Sequence, residues 1–156
     1  MRLVIQRVKE ASCLVKSGKG AADYFSSKIG RGLLILLGVE NGDTLEDVLW
    51  LAYKTVNLRI FDDEQGVMNR SVLDIGGDVL AVSQFTLLAS TRKGNRPSYI
   101  RSAPQPFSEP LYKEFCKRLS ELLNRSVGEG KFGADMEISL INDGPVTIVI
   151  DSRLRE

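Results

Sequence analysis

Hydrophobic residues either alternate with polar ones or run together in several short segments, and both patterns are typical of β-strands. The predicted strands are residues 2–8, 12–15, 33–39, 58–61, 79–89, 137–141 and 146–150. We expect the first two to form a hairpin, and the third, an apolar run, to be buried. Residues 16–27 are small and polar and predict an exposed loop, whereas residues 62–77 are rich in turn formers.

Two further segments have the 3.6-residue spacing of amphipathic helices. Asp43 or Thr44 can cap the first, and two acidic residues follow in its first turn. The second is expected to begin at Ser108, with Pro110 in its first turn. The predicted buried faces are Leu45, Val48, Leu49, Ala52 and Val56 in the first helix, and Leu111, Tyr112, Phe115, Leu119 and Leu122 in the second.

The order of these elements predicts an α+β fold, because neither helix is placed to make regular β-α-β repeats. We expect a curved, largely antiparallel or mixed β-sheet, barrel-like, with the two helices on one face. The 156 residues suffice for one domain, residues 1–156. The last strand is long and apolar, and an uncovered edge of that kind favours a symmetric homodimer.

Composition and charge limit the class of protein, its cellular location and its partners. Hydrophobic residues make up 43% of the chain and charged residues 26%, which is ordinary for a globular protein. No stretch is apolar enough to cross a membrane, and the start of the chain is not typical of a signal peptide. We therefore expect a cytoplasmic protein with Cys13 and Cys116 as buried reduced thiols, although two cysteines also allow a disulfide. A net charge of +1 argues against a large nucleic-acid footprint but allows a small one.

The chain contains no histidine. This excludes Ser-His and Cys-His catalysis and every metal site built on imidazole. We expect no metal and no cofactor. Any chemistry must come from backbone groups, hydroxyls, amides or the substrate itself.

Residues 142–147, Asn-Asp-Gly-Pro-Val-Thr, separate the last two predicted strands. A hairpin turn is the simpler interpretation, because Asn, Asp, Gly and Pro all favour turns. The alternative is a functional loop, since a cis peptide costs little before proline and glycine tolerates the backbone angles that it requires. The segment alone does not decide between the two.

Polar side chains interrupt the predicted strand 79–89 at Ser83, Gln84 and Thr86. Alternation would place Ser83 and Phe85 on one face and Gln84 and Thr86 on the other. Buried hydroxyl and amide groups need hydrogen bonds, so these residues either bond to neighbouring strands or line a cavity.

Two other features of the sequence are typical of ligand-binding sites. Four basic residues, Arg92, Lys93, Arg96 and Arg101, form either a solvated loop or a phosphate-binding patch. Further along the chain, Phe132 between two glycines is either a core aromatic or a ring that stacks on a base.

Several segments resemble the signature sequences of the D-aminoacyl-tRNA deacylases, the D-tyrosyl-tRNA deacylase family. They are MRLVIQRV (1–8), GVMNRSVLDIGG (66–77), SQFTL (83–87), KGNRP (93–97), GKFGADM (130–136) and NDGPVT (142–147). The similarity covers nearly the whole chain in the family's order. The departures are the longer segment 16–27 and Cys13, where an aliphatic residue is more usual, and neither touches a motif.

The resemblance implies a homodimeric editing enzyme that hydrolyses the ester between a D-amino acid and the terminal adenosine of tRNA. It implies that Gly144-Pro145 is a cis peptide inserted into the partner subunit's pocket as a chiral gate. The expected supports of this gate are Arg7, Asn142 and Thr147. The expected catalytic residues are Ser83, Gln84, Phe85 and Thr86, and the expected tRNA-binding residues are Arg92, Lys93, Arg96, Phe132 and Met136.

Elementary chemistry is compatible with this interpretation. Aminoacyl esters are activated and the vicinal ribose hydroxyl can assist, so we expect substrate-assisted hydrolysis with backbone groups near Phe85 and Thr86 stabilising the oxyanion. A rigid Gly-Pro backbone would reject L-substrates by collision with their side chain, and glycyl-tRNA would therefore be accepted. Two alternatives remain: a non-catalytic protein that binds the tRNA end or another nucleic acid with Arg92, Lys93 and Arg96, and an esterase for small acyl substrates with Thr86 as nucleophile.

Overall fold

The computed structural model describes residues 1–17 and 21–155. In this part of the chain the strands are β1 (Arg2–Val15), β2 (Tyr24–Ile29), β3 (Gly32–Gly38), β4 (Phe61–Asp62), β5 (Met68–Arg70), β6 (Asp78–Ser83), β7 (Gly128–Glu129) and β8 (Met136–Asp151). The helices are α1 (Leu45–Asn57) and α2 (Gln105–Leu123), and a 3-10 turn covers Phe85–Leu88. β4 and β5 form a small separate hairpin, and the other strands share one sheet.

The main sheet is mixed and curves into a nearly closed barrel. Its strand order is β2-β1-β3-β6-β7, and β8 pairs with β1 as well. β1 is antiparallel to β2, β3 and β8, whereas β6 is parallel to β3 and β7. The two end strands approach closely, because a Cβ on Gly128 of β7 would overlap the Ser27 hydroxyl of β2. The predicted α+β fold with a mixed, barrel-like sheet and two helices is confirmed.

Helices α1 and α2 pack over one face of the sheet and enclose the larger hydrophobic core. Thr44 caps α1 as predicted, but α2 begins at Gln105, three residues before Ser108, so Pro110 lies inside the helix. The prediction of the buried faces was wrong for three exposed leucines, Leu45, Leu49 and Leu122. Within the described residues, no helix is long and apolar enough to span a membrane.

The predicted hairpin between residues 2–8 and 12–15 does not form, because both segments belong to the single strand β1. β8 runs beside β1 along both segments, so the ladder favours a continuous strand over a reversal. The register shifts on either side of Val8, and the polar pair Lys9 and Glu10 is exposed there.

Three other boundaries differ from the sequence prediction. The loop expected over residues 16–27 becomes strand β2 from Tyr24 onward, and residues 18–20 lie outside the described part of the chain. Of the strand predicted over residues 58–61, only Phe61 is extended in a ladder, paired with Arg70. The strand predicted over residues 79–89 ends at Ser83, where the chain turns toward β3.

The two strands predicted on either side of residues 142–147 form one long strand, β8. Residues 136–142 and 147–151 both pair with β1 in the same antiparallel direction. The hairpin interpretation is therefore wrong, and residues 142–147 interrupt a strand without reversing it.

Candidate active site

A cavity of about 300 Å³ opens where β3, β6, the 3-10 turn and the start of β8 meet. Its lining residues are Leu37, Val39, Val82, Ser83, Gln84, Phe85, Ala103, Ser108, Phe132, Gly133, Ala134, Asp135, Met136 and Ile138. It is mainly hydrophobic, with a few polar groups at the end of β6 and on the segment before β8. Such a cavity can hold a flat, apolar group and orient it with a small number of hydrogen bonds.

The end of β6 forms one wall of the cavity. The Gln84 N–H donates to the Leu37 carbonyl oxygen at 2.7 Å, after which the chain enters the 3-10 turn. Gly38 permits this close approach, because a Cβ there would lie 3.1 Å from the Gln84 carbonyl oxygen. The alternation of side chains between the two faces of the strand stops at Ser83. Ser83, Gln84 and Phe85 therefore all line the cavity, and the prediction that Gln84 faces the opposite side was wrong.

Thr86 is not among the lining residues. Its hydroxyl oxygen accepts a hydrogen bond from Gln84 Nε2 at 2.5 Å. The backbone N–H groups of Phe85 and Thr86 are the first of the 3-10 turn, where a helix has no internal acceptor for them. The turn thus offers amide donors beside the cavity, while its threonine hydroxyl is held by a neighbouring amide.

The opposite wall is the segment that carries Phe132 and Met136. The Gly130 N–H donates to the Ala81 carbonyl oxygen at 3.0 Å, and the Tyr112 hydroxyl donates to the same oxygen at 2.9 Å. The Tyr112 ring lies 5.7 Å from the Phe132 ring, centroid to centroid. Tyr112 therefore joins helix α2 to both walls of the cavity.

The described lining of the cavity carries a single ionisable side chain. It is the carboxylate of Asp135, an exposed residue. Two ionisable groups are buried behind the wall: desolvation raises the pKa of Tyr112 above its usual range and that of Cys116 to about 12. Both groups are therefore neutral at physiological pH.

Residues 142–147, which we call the gate loop, bulge out of β8. Between the pairs Gln6–Thr147 and Val8–Asn142, β1 contributes one residue, Arg7, whereas β8 contributes residues 143–146. The Gly144-Pro145 peptide bond is cis, as the family resemblance implied. Gly144 and Pro145 are exposed and do not line the cavity of their own chain.

Two side chains hold the gate loop. The buried Arg7 donates from Nε to the Asp143 carbonyl oxygen at 2.8 Å and from Nη1 to the Ile60 carbonyl oxygen at 2.7 Å. Asn142 spans the bulge, because its Oδ1 accepts from the Val146 N–H at 2.9 Å and its Nδ2 donates to the Val146 carbonyl oxygen at 3.2 Å. Thr147 accepts a weaker bond from Gln6 at 3.3 Å.

The basic loop, residues 91–97, is exposed and closed by two backbone hydrogen bonds of 2.9 Å between Ser90 and Ser98. Arg92, Lys93 and Arg96 lie on it and do not line the cavity. Arg101 differs from them, because its Nε donates to Glu40 Oε1 at 2.7 Å and holds the pKa of that buried carboxyl below its usual range. Arg101 thus anchors the segment and is less available to a phosphate.

The structure brings together part of the predicted site. Ser83, Gln84, Phe85, Phe132 and Met136 share the cavity. The side chain of Thr86, the gate loop and the basic loop lie outside the lining. The sequence prediction did not include Ser108 and Asp135, which also line the cavity. Asp135 could have been predicted, because it belongs to the GKFGADM segment, whereas nothing in the pattern around Ser108 indicated a cavity.

The chain is similar to known proteins along its whole length. The family model for D-Tyr-tRNA(Tyr) deacylase matches residues 4–151. The chain is 54% identical to a D-aminoacyl-tRNA deacylase of Bacteroides thetaiotaomicron and 53% identical to one of Porphyromonas gingivalis, each over 156 residues and 100% of both chains.

Two solved structures are similar as well. One, named c-Myc DNA Unwinding Element Binding Protein, has a TM-score of 0.86 and 38% identity over 97% of this chain and 98% of that one. The other, a probable eukaryotic D-amino acid tRNA deacylase, has a TM-score of 0.78 and covers 96% and 97% of the two chains. At 18% identity, it supports the fold alone.

The tight gate loop generates a prediction for stability. A Cβ on Gly144 would lie 2.5 Å from the Val146 backbone nitrogen, whereas a Cβ on Gly94 would meet no atom within 4 Å. Both glycines have positive φ, +151° and +126°, so both alanine variants carry backbone strain and only Gly144→Ala adds a collision. We expect Gly144→Ala to lower the free energy of unfolding by about 2 kcal/mol more than Gly94→Ala, measured by urea denaturation. Equal losses would contradict the observed loop geometry.

Proposed function

The chain belongs to the D-Tyr-tRNA(Tyr) deacylase family and is a D-aminoacyl-tRNA deacylase, a hydrolase, and from that premise we propose how it selects and cleaves its substrate. The enzyme hydrolyses the ester between a D-amino acid, or glycine, and the 3′-terminal adenosine of tRNA. The gate loop of one subunit closes the cavity of the other and rejects L-aminoacyl-tRNA. The observation that carries this proposal is an exposed gate loop that is held by Arg7 and Asn142 and does not line the cavity of its own chain.

The cavity suits the aminoacyl-adenosine end of tRNA. Phe132 and Met136 offer an aromatic ring and a polarisable thioether to the adenine ring. The ester then lies toward Ser83, Gln84 and Phe85, at the end of β6. Phosphates outside the cavity meet Arg92, Lys93 and Arg96 of the basic loop, because these side chains are exposed.

The reaction relies on the substrate and on backbone donors. Water attacks the ester carbonyl carbon, and the vicinal ribose hydroxyl relays a proton from the water to the ester oxygen of the ribose. The bond between the carbonyl carbon and that oxygen breaks, which frees the amino acid and restores the ribose hydroxyl. The N–H groups of Phe85 and Thr86 stabilise the charge that develops on the carbonyl oxygen. A nucleophilic role for the Thr86 hydroxyl is disfavoured, because its oxygen accepts a bond from Gln84 and, among the described residues, no hydrogen bond joins the hydroxyl to a basic group.

Chiral selection requires a gate whose atoms keep their position when the side chain of an L-substrate approaches. Excluding L-substrates by a factor of ~10³–10⁴ corresponds to roughly 4–5.5 kcal/mol at the reacting centre. Backbone atoms held by Arg7 and Asn142 can supply this by steric collision, whereas a flexible side chain would move aside. Glycine has no side chain to collide with and passes the gate.

A second copy of the chain is the partner that this gate needs. Gly144 and Pro145 do not line the cavity of their own chain. Val149, Val4 and Leu36 are paired in register on β8, β1 and β3, so they form a row of aliphatic side chains across three strands. Val149 is 63% exposed. A symmetric dimer would cover this row and bring each gate loop to the other subunit.

Deacylation of matched tRNAs tests the proposed selection. We expect D-tyrosyl-tRNA and glycyl-tRNA to be hydrolysed, and L-tyrosyl-tRNA and L-alanyl-tRNA to survive, because a single methyl group in the L position meets the gate. The release of amino acid is measured with the four substrates at equal concentration. Survival of glycyl-tRNA equal to that of L-alanyl-tRNA would show positive recognition of the D side chain and would contradict a steric gate.

A second experiment tests the source of the chemistry. We expect Thr86→Ala to retain substantial turnover, since it keeps the backbone N–H, and Cys116→Ala to do the same, since that thiol is buried and neutral. Replacing the terminal 2′-hydroxyl of the tRNA with hydrogen should lower kcat far more than either variant. Loss of turnover in Thr86→Ala with binding intact would favour a threonine nucleophile instead.

A further inference from the structure

Tyr99 is an exposed aromatic residue that packs against the wall of the cavity. Its ring lies 5.0 Å from the ring of Phe85, centroid to centroid, with an interplanar angle of 75°. Tyr99 is 39% exposed and Phe85 56% exposed. An edge-to-face pair covers at most one of its four ring faces, so flat aromatic surface remains open to solvent.

Backbone hydrogen bonds fix this aromatic pair. Ser98, the neighbour of Tyr99, is tied to Ser90 by two bonds, and the Ser102 N–H donates to the Tyr99 carbonyl oxygen at 2.9 Å. The Ser102 hydroxyl donates to the Phe85 carbonyl oxygen at 3.1 Å. One serine therefore joins the two aromatic residues, and a rigid surface of this kind loses little entropy when it binds a ligand.

The pair lies between the cavity and the basic loop. Phe85 lines the cavity, whereas Tyr99 follows the basic loop by two residues. Exposed aromatic rings beside cationic side chains are the usual means of binding single-stranded nucleic acid, because the rings stack on bases and the cations meet phosphates.

We propose that Tyr99, supported by Phe85, stacks on the base of the nucleotide that precedes the terminal adenosine of tRNA. This rests on the proposed function, since the terminal adenosine must occupy the cavity. The next nucleotide then emerges at the cavity mouth, where Phe85 is exposed, and its phosphate is directed toward the basic loop. Tyr99 is thus a binding residue for the tRNA end, separate from the chemistry of ester cleavage.

The experiment compares substrates with and without that nucleotide. D-tyrosyl-tRNA contains it, whereas the D-tyrosyl ester of adenosine alone lacks it. We expect Tyr99→Ala to raise KM for D-tyrosyl-tRNA by about 5- to 30-fold, equivalent to about 1–2 kcal/mol. The same variant should leave kcat/KM for the adenosine ester within about twofold of the unmodified enzyme. With the D-tyrosyl ester of cytidylyl-adenosine, which contains the preceding nucleotide, Tyr99→Ala should again raise KM.

Two further variants make the test specific. Tyr99→Phe keeps the ring and should retain the KM of the unmodified enzyme. Tyr53→Ala removes another tyrosine, 61% exposed on α1, and should leave KM unchanged. An unchanged KM in Tyr99→Ala would overturn the proposal.

Two other outcomes would point to a different role for Tyr99 or to a different function of the protein. Equal loss of activity on both substrates, together with a shift to monomer in sedimentation, would make Tyr99 a contact between subunits and overturn the stacking role. If the unmodified enzyme cleaved neither substrate, the proposed function itself would fail. The two failures are therefore distinguishable.

Discussion

The antiparallel pairing of β1 with β8 is the constraint on which the rest of the structure depends. The ladder runs from Arg2–Asp151 at one end to Val15–Met136 at the other. Because it continues on both sides of Arg7, residues 143–146 have no ladder partner on β1 and are forced outward as a bulge. The same ladder fixes Met136 at the cavity. One pair of strands thus positions the gate loop and one wall of the cavity.

The gate loop also accounts for an otherwise costly buried charge. Arg7 is only 7% exposed, and a buried guanidinium is tolerated when its donors are satisfied. Its partners are the carbonyl oxygens of Asp143 and Ile60 and the carboxylates of Asp62, at 3.3 Å, and Asp143, at 3.5 Å. The arginine therefore ties β1, the β4–β5 hairpin and the gate loop together, and selection by backbone atoms depends on this rigidity.

Much of the fold could be predicted from sequence, and the failures have physical causes. Periodicity located α1 and the buried strand β3, since both patterns are local. It could not show that residues 2–15 form one strand, because their continuity comes from pairing with β8, more than a hundred residues away. It also missed the turn at Gln84, which depends on a hydrogen bond to Leu37 and on the absence of a side chain at Gly38. Of the residues that the motifs marked as candidates, Phe132 and Met136 line the cavity. The side chain of Thr86 does not, which the sequence could not show because it depends on that turn.

A purified heterodimer tests the central claim, that the gate of one subunit serves the cavity of the other. One subunit carries Pro145→Ala, which relaxes the gate, and the other carries Ala134→Trp, which fills the cavity with a large ring. Separate affinity tags isolate the mixed species, in which only the Pro145→Ala subunit has an open cavity. We expect this cavity to reject L-tyrosyl-tRNA as the unmodified enzyme does, because its gate comes from the Ala134→Trp subunit. Cleavage of L-tyrosyl-tRNA at the rate of the Pro145→Ala homodimer would show that each gate acts within its own chain and would contradict the account.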